Sequence, residues 1–420
     1  MKSFKIISLS FLTMISAATY AQEFDANLQL RPRFEYRNGY KNLMPNGENA
    51  TSFVSQRSRI NFNFSQERLK TKLTIQNVRT WGDVATTTAA DKNAISVFEA
   101  WAQYDLSSEW STRIGRQVIA YDNQRIFGEI DWSQQGQSHD AALISFHPKN
   151  HQLDLGVALN ANAENLLEPK TPYTTNYKTM QYAWYHTQLN KIGMSLLFLN
   201  TGYQFQKTPT DLAVDYKQTF GTYLTFKEKK WDTNLGIYGQ SGKTATKKVN
   251  ALYAGAYVGY AFTEQFKAGL GHEFLSGKDQ DDSSLDNKSF TPIFGTNHAL
   301  NGFMDYFYVG NHQNNVGLND TYLKLNYTSN KWQFALIPHY FNAPSIVLDT
   351  DGSKMNAYLG TEIDFTTTYT VQKDIVASAG YSQIFGSSTL ERVKNLTNAA
   401  QTNNWVWVMV SFSPRIFTLK

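Results

Sequence analysis

Two pairs of closely spaced arginines are the most chemically suggestive feature of the sequence. Arg31 and Arg33 form the first pair. Arg57 and Arg59 form the second. A guanidinium presents a planar fork of N–H donors that matches a carboxylate or phosphate, so both pairs predict contacts to anionic groups. Side chains two residues apart point the same way in a β-strand, and this chemistry therefore requires extended elements to position it.

The residues around the first pair alternate between polar and apolar, which is the pattern of a β-strand. One face carries the two arginines together with Asn27, Gln29 and Glu35. The other face carries Ala26, Leu28, Leu30, Pro32, Phe34 and Tyr36. Such a strand has one face suited to hydrocarbon and one suited to water. We predict about eighteen strands of this kind, near residues 26–37, 52–64, 70–81, 95–105, 110–118, 139–147, 152–160, 178–189, 192–201, 217–226, 231–241, 249–261, 266–275, 317–327, 332–341, 356–369, 375–385 and 404–414.

The connections between these strands alternate in length along the chain. Short turns such as 190–191 and 263–265 alternate with long connections such as 118–138 and 276–316. Transmembrane barrels have this asymmetry, with tight periplasmic turns and long extracellular loops. We therefore predict an all-β fold, a transmembrane antiparallel up-and-down β-barrel. A soluble sandwich or propeller also alternates, but it would divide into domains joined by linkers, and the sequence contains no such linker.

The composition fits a membrane barrel and excludes other classes. The chain of 420 residues is 14% aromatic, as the girdles at membrane interfaces require. It has no cysteine, so disulfides and thiolate metal sites are excluded. The 39 basic side chains against 35 acidic ones argue against a nucleic-acid partner. After residue 21 no apolar run is long enough for a transmembrane helix.

The first 21 residues have the features of a secretory signal peptide. Lys2 and Lys5 precede an apolar stretch at residues 6–18, and small residues lead to a cleavage site after Ala21. We expect residues 1–21 to be removed and residues 22–420 to form one barrel domain. This domain should be inserted into the outer membrane by the barrel-assembly machinery and should contact its lipids and lipopolysaccharide.

Strand alternation also predicts which side chains face the lumen. A barrel of this size is wide enough to leave an aqueous channel, so the inward residues form the solute passage. Acidic residues also point inward and are able to pair with the arginines, which leaves the role of the arginines open between solute binding and structure. The inward acids are Glu35, Glu99, Glu273, Glu362 and Asp364. Alternation turns Arg79 toward lipid, unless a bulge near Asn77 changes the register.

Signals for catalysis and metal binding are weak. His139 and Asp140 resemble part of a proton relay, but the sequence before them lacks a nucleophile elbow. We therefore predict neither an enzyme nor a cofactor. The acidic run at 279–286 could hold calcium, yet Ser284 stands where an EF-hand needs glycine, and a solvated loop is the preferred interpretation.

Three stretches of the sequence combine arginine, glycine, aromatic and amide residues at close spacings. They are Gly-Arg-Gln at 115–117 with Asn-Gln-Arg-Ile-Phe-Gly at 123–128 and Asp-Trp-Ser-Gln-Gln-Gly at 131–136, then 275–278 with 290–298 and 302–307, and finally 359–364. These stretches resemble the alginate export family of outer-membrane porins. The resemblance implies a monomeric eighteen-stranded barrel with an arginine-lined passage for a polyuronate, and it adds Arg116 and Arg125 to that passage.

The predicted function is passive diffusion or export of hydrophilic anionic saccharides, such as alginate-like polyuronates, through an outer-membrane channel. A general diffusion porin for small hydrophilic solutes is the alternative. A barrel enzyme would need a catalytic pair at the rim, with His139 as its candidate. An adhesin or receptor would place its specificity in residues 276–316. The predicted passage consists of Arg31, Arg33, Arg57, Arg59, Arg116, Arg125, Glu99, Glu362 and Asp364.

Overall fold

The computed structural model describes residues 22–88 and 91–419. The signal peptide predicted for residues 1–21 lies outside this part of the chain. The strands are β1 (Gln22–Asn38), β2 (Thr51–Gln66), β3 (Leu69–Thr80), β4 (Ser96–Asp105), β5 (Trp110–Gln117), β6 (His139–Phe146), β7 (His151–Leu159), β8 (Thr179–Leu189), β9 (Ile192–Gln206), β10 (Leu212–Glu228), β11 (Trp231–Thr244), β12 (Lys247–Ala261), β13 (Phe266–Leu275), β14 (Leu318–Ser329), β15 (Trp332–Asn342), β16 (Tyr358–Gln372), β17 (Ile375–Gly386), β18 (Thr402–Phe412) and β19 (Arg415–Leu419).

The strands form one antiparallel sheet that closes on itself. Each strand from β1 to β17 pairs with the next along the chain, and β1 completes the ring by pairing with both β18 and β19. Since Leu30 pairs with Phe412 and Asn27 with Arg415, β18 and β19 are two parts of one stave. The closed barrel is therefore eighteen-stranded when β18 and β19 are counted as one strand, and the predicted fold class is confirmed.

The two faces of the barrel wall have opposite chemistry. The outward side chains of Phe34, Ile60 and Leu73 are 41%, 36% and 39% exposed. The inward arginines Arg31 and Arg57 are only 4% and 0% exposed. This distribution is the reverse of a soluble protein and is that of a barrel whose outer surface meets lipid.

Aromatic rings mark one rim of the outer surface. Trp110, Trp231 and Trp332 each begin a strand beside a short turn and are all exposed. Each contacts a ring of a neighbouring strand, and Trp110 stacks on Phe146 with centroids 4.5 Å apart. Amphipathic rings prefer the interface between lipid and water, so this rim lies at the periplasmic membrane surface.

The strands keep the predicted alternation at Arg79. The pairing of β2 with β3 runs without a shift from Ser55 and Thr80 to Gln66 and Leu69. Arg79 therefore stays on the outer face, where it bonds Asn77 and Asp91. A register shift occurs instead between β3 and β4, where Phe98 is the additional residue.

The connections alternate between short and long as predicted, except that the two-residue β11–β12 connection (residues 245–246) lies on the side of the long loops. Two of the long connections fold into the barrel. Turns on the periplasmic side contain two to four residues. On the other side, the β5–β6 loop (residues 118–138) and the β13–β14 loop (residues 276–317) supply much of the buried apolar cluster inside the barrel. Helical structure in the described residues is limited to α1 (Ser388–Val393) and a short 3₁₀ turn, and no described helix is long and apolar enough to cross a membrane.

Candidate solute passage

The four arginines predicted to face the lumen lie together on β1 and β2. Arg31 pairs directly with Arg57 in the sheet, and Arg59 pairs with Gln29. All four guanidinium groups turn toward residues 131–135 of the β5–β6 loop, which we call the docked segment. The arginines are thus occupied by a part of the chain itself.

Arg31 and Arg57 bind the docked segment through a carboxylate and through backbone oxygens. Arg31 donates to Asp131 Oδ2 at 3.1 Å, to the backbone oxygen of Asp131 at 2.7 Å and to that of Ser133 at 3.1 Å. Arg57 donates to Asp131 Oδ1 at 2.7 Å. Both oxygens of this carboxylate therefore accept a charge-assisted hydrogen bond.

Arg33 and Arg59 hold the same segment on either side of Asp131. Arg33 donates to the backbone oxygen of Trp132 at 2.7 Å, and its guanidinium lies 4.0 Å from the centre of the indole ring. Arg59 donates to the backbone oxygen of Gln135 at 3.0 Å and stacks on Phe98 at 3.7 Å. These donors satisfy backbone oxygens of the docked segment.

The side chain of Asp131 remains half exposed although three arginines surround it. Partial burial of the carboxyl group opposes its ionisation, but attraction to Arg57 and Arg31 outweighs this effect and lowers the pKa of Asp131 below its ordinary value. The carboxylate is therefore held in its charged form.

This shift predicts how the docked segment responds to acid. A carboxylate with a lowered pKa in the folded state contributes stability above its ordinary pKa of 3.8, and the contribution is lost as the pH falls through the lowered value. We expect hydrogen exchange of residues 131–136, corrected for its intrinsic pH dependence, to stay constant from neutral pH down to about pH 5. Protection should decrease only below pH 3.8. A decrease near neutral pH would contradict this assignment.

Glu35 lies between two of the arginines on β1. Its Oε1 accepts from Arg33 at 3.0 Å, and its Oε2 accepts from Arg37 Nε at 3.0 Å and from Trp405 Nε1 at 3.1 Å. Of the five predicted inward acids, Glu35 is the one that forms ion pairs with arginines of β1 and β2. Their other carboxylate, Asp131, comes from a loop.

Glu362 and Asp364 on β16 hold the second inward loop. Glu362 Oε1 accepts from the backbone N–H of Met304 at 2.7 Å, and Asp364 Oδ2 accepts from that of Phe303 at 3.1 Å. Both carboxylates are completely buried. They therefore anchor the β13–β14 loop, as the arginines anchor the docked segment.

Arg125 joins the two inward loops. It belongs to the β5–β6 loop and pairs with Glu273 on β13, while its Nη1 donates to Asn301 of the β13–β14 loop at 3.0 Å. The loops also pair through their backbones, since Phe294 N–H donates to the Ile126 oxygen at 3.1 Å. Together the loops form a partition inside the barrel.

The remaining two predicted residues lie apart from these anchors. Glu99 is inward and pairs with Lys72, and it accepts from Trp101 Nε1 at 3.1 Å. Arg116 corrects the expectation from resemblance, because it lies on the outer face next to Asp140, to which it donates at 2.8 Å. Strand alternation predicts this outward placement, because Arg116 is two residues from Ile114, which is also exposed on the outer face.

Cavities lie on both sides of the partition. An outer vestibule of about 630 Å³ is lined by Arg33, Arg37, Trp132 and Gln134, among others. Toward the periplasm, a cavity of about 490 Å³ is lined by Arg59, Asn61, Lys72, Glu99 and Asp131. The docked segment borders both, with Trp132 on one side and Asp131 on the other.

The described residues contain no cluster of acidic or histidine side chains able to hold a metal ion. In the acidic run, Asp282 accepts hydrogen bonds from the backbone and hydroxyl of Ser284, and Asp279 accepts from the backbone of Ile346. The hydrogen bond from the backbone of Ser284 is the main cause that lowers the pKa of Asp282 to about 2. Asp282 thus stabilises a turn, and Asp279 joins the β13–β14 loop to the β15–β16 connection.

With this geometry established, the chain can be compared with known proteins. A family model described as alginate export matches residues 22–395. The chain belongs to the alginate export family. No curated protein sequence matches it.

Members of a second group of barrels share the fold. The family member described here superposes on the Pseudomonas aeruginosa protein OccK9 (OpdG) with a TM-score of 0.64, 11% identity and coverage of 94% of this chain and 98% of the other. OccK1 (OpdK) from the same organism gives a TM-score of 0.62, 12% identity and coverage of 93% and 98%. A further OpdK structure, titled with vanillate, gives 0.61, with 12% identity and the same coverage. Family and fold place this protein in the outer membrane as a channel.

Proposed function

We propose that this channel carries hydrophilic anionic solutes, and saccharides bearing carboxylates in particular. The observation that supports this is an excess of positive charge on one wall of the passage. Five arginines on β1 and β2 face two carboxylates, Glu35 and Asp131. The five are Arg31, Arg33, Arg37, Arg57 and Arg59.

This excess acts along the solute path even where individual arginines are buried. Charge lining an aqueous passage through a low-dielectric wall raises the local concentration of oppositely charged solutes. Arg37 contributes most directly, because about a third of its side chain is exposed in the outer vestibule. Contacts at such exposed groups are individually weak, about 0 to 1 kcal/mol, which suits passage because a tight site would retain the solute.

A general diffusion porin remains the second candidate, and a specific observation favours it. The outer vestibule is also lined by the carboxylates of Asp83 and Asp305, which offset part of the arginine charge. A channel with balanced charges would select solutes mainly by size. The two candidates therefore differ in ion selectivity.

Reversal potentials in planar bilayers test the proposal. We expect the wild-type channel to prefer anions at low salt, where screening is weakest, and uronate oligomers to block the current more than neutral oligosaccharides do. Arg37→Gln should shift the selectivity toward cations. Arg116→Gln is the matched control, because it removes the same charge from the outer face, and it should leave selectivity unchanged. A wild-type channel without anion preference would favour the general porin.

A further inference from the structure

The docked segment lies between the two cavities on the arginine side of the lumen. Trp132, Ser133 and Gln134 line the outer vestibule, whereas Asp131 lines the cavity toward the periplasm. A solute that moves along the arginines must cross this segment. The arginines are therefore both the predicted solute contacts and the anchors of what blocks the way.

The contacts at Asp131 have the form of a ligand bound at an anion site. Its two carboxylate oxygens are 3.1 Å from Arg31 Nη1 and 2.7 Å from Arg57 Nη2, and Arg59 Nη1 lies at 3.9 Å. A solute carboxylate would make the same bonds. The site also retains a free donor, because Arg57 Nε is buried and has no acceptor among the described residues.

The backbone of the segment is built for displacement. Ile130, just before it, has φ +50°, and Gly136, just after it, has φ +70°. The left-handed region is unfavourable for a β-branched residue such as isoleucine, so the docking contacts must offset strain there. Release of the segment would relieve this strain. The two positions are the natural hinges of the motion.

We propose that Asp131 is an internal ligand that keeps the docked segment closed, and that a carboxylate-bearing solute opens the passage by replacing Asp131 on Arg31 and Arg57. This inference rests on the proposed function, since it assumes that carboxylates reach these arginines. The half-exposed side chain of Asp131 faces the cavity toward the periplasm, which gives an incoming anion access to the pair. The chain thus carries its own competitor for the solute site.

Single-channel recording of the full-length protein with galacturonate tests the exchange, with galactose as the neutral control. We expect the monomer galacturonate, but not galactose, to raise the fraction of time that the wild type is open, whereas the block by uronate oligomers is a lower current through a channel that is already open. Asp131→Asn should be about tenfold more open without solute, equivalent to about 1.4 kcal/mol, and should no longer respond to galacturonate. Asp131→Glu keeps the carboxylate and should restore closing.

Glu129→Gln is the matched charge control. It removes one negative charge from the same loop. Within the described residues its carboxylate makes no hydrogen bond or ion pair with the arginines and attracts Arg57 only from a distance, so its gating should change much less than that of Asp131→Asn. If Asp131→Asn matches Glu129→Gln, the inference is overturned. Heat-modifiable migration on gels confirms that each variant forms a barrel.

A second measurement needs no variant. Galacturonate should increase hydrogen exchange in residues 129–136 of the wild type, and galactose should not. Unchanged exchange would overturn the inference even in a channel that prefers anions. A different result would overturn the proposed function instead, namely a wild-type channel that lacks anion preference while Asp131→Asn is constitutively open. In that case Asp131 would still be the group that keeps the docked segment closed.

Discussion

Replacing Arg125 with methionine is expected to release the partition inside the barrel. Arg125 is 1% exposed, and its partner Glu273 is 4% exposed. Removing one member of a buried pair leaves an uncompensated charge and costs about 3 to 5 kcal/mol. Hydrogen exchange of residues 118–138 and 290–305 should therefore accelerate by about a hundredfold or more.

Arg116→Met provides the control for this prediction. It deletes the same side chain from an exposed pair with Asp140, where the loss is about 0 to 1 kcal/mol. The double variant Arg125→Met with Glu273→Gln should recover part of the lost protection, because it removes both charges. Equal exchange in the two single variants would show that Arg125 does not hold the loops together.

Placing an arginine at Ile60 is expected to destabilise the barrel itself. Ile60 lies on the outer face of β2, opposite Ile75 and Leu28 of the neighbouring strands, within the apolar belt. A charged side chain on the lipid face near the bilayer midplane costs about 2 to 4 kcal/mol. Urea unfolding in lipid vesicles measures this as a lower midpoint.

The neighbouring residue supplies the control. Asn61 lines the water-filled cavity toward the periplasm, so Asn61→Arg introduces the same side chain on the other face of the strand. It should cost much less than Ile60→Arg. Similar costs at both positions would mean that the two faces do not differ in their surroundings.

The barrel could be predicted because its signal is local and repeated. Within β1 or β2, the alternation of polar and apolar side chains indicates which residues face lipid. This rule predicted that Arg31 and Arg57 face inward, and the structure places them so. The same rule turned Arg116 outward, and the structure agrees with the rule and not with the resemblance. The orientation of a strand's two faces can therefore be predicted from the alternating polarity of that strand alone.

The partition could not be predicted because loops have no such period. Asp131 stands in the motif at 131–136, yet nothing in its spacing indicates that it returns to a strand 100 residues earlier in the chain. Glu362 and Asp364 bind backbone N–H groups of the β13–β14 loop. Sequence reasoning missed these contacts, because every residue type offers a backbone N–H and the partner therefore leaves no signal in the sequence. The one available signal for the partition was the group of polar residues beside aromatic residues in the long β5–β6 loop.

The separation of the docked segment from its anchors also sets the order in which the molecule can assemble. Arg31 and Gln134 are 103 residues apart, and Tyr40 bonds Asp305 across 265 residues. Contacts between distant parts of a chain form late, because the chain must first pay the entropy of bringing them together. Closure of the wall joins residues that are further apart still, since Leu30 pairs with Phe412 across 382 residues. The same rule therefore lets the docked segment reach its arginines before the wall closes. A newly closed barrel is then already obstructed and does not pass through a stage as an open hole.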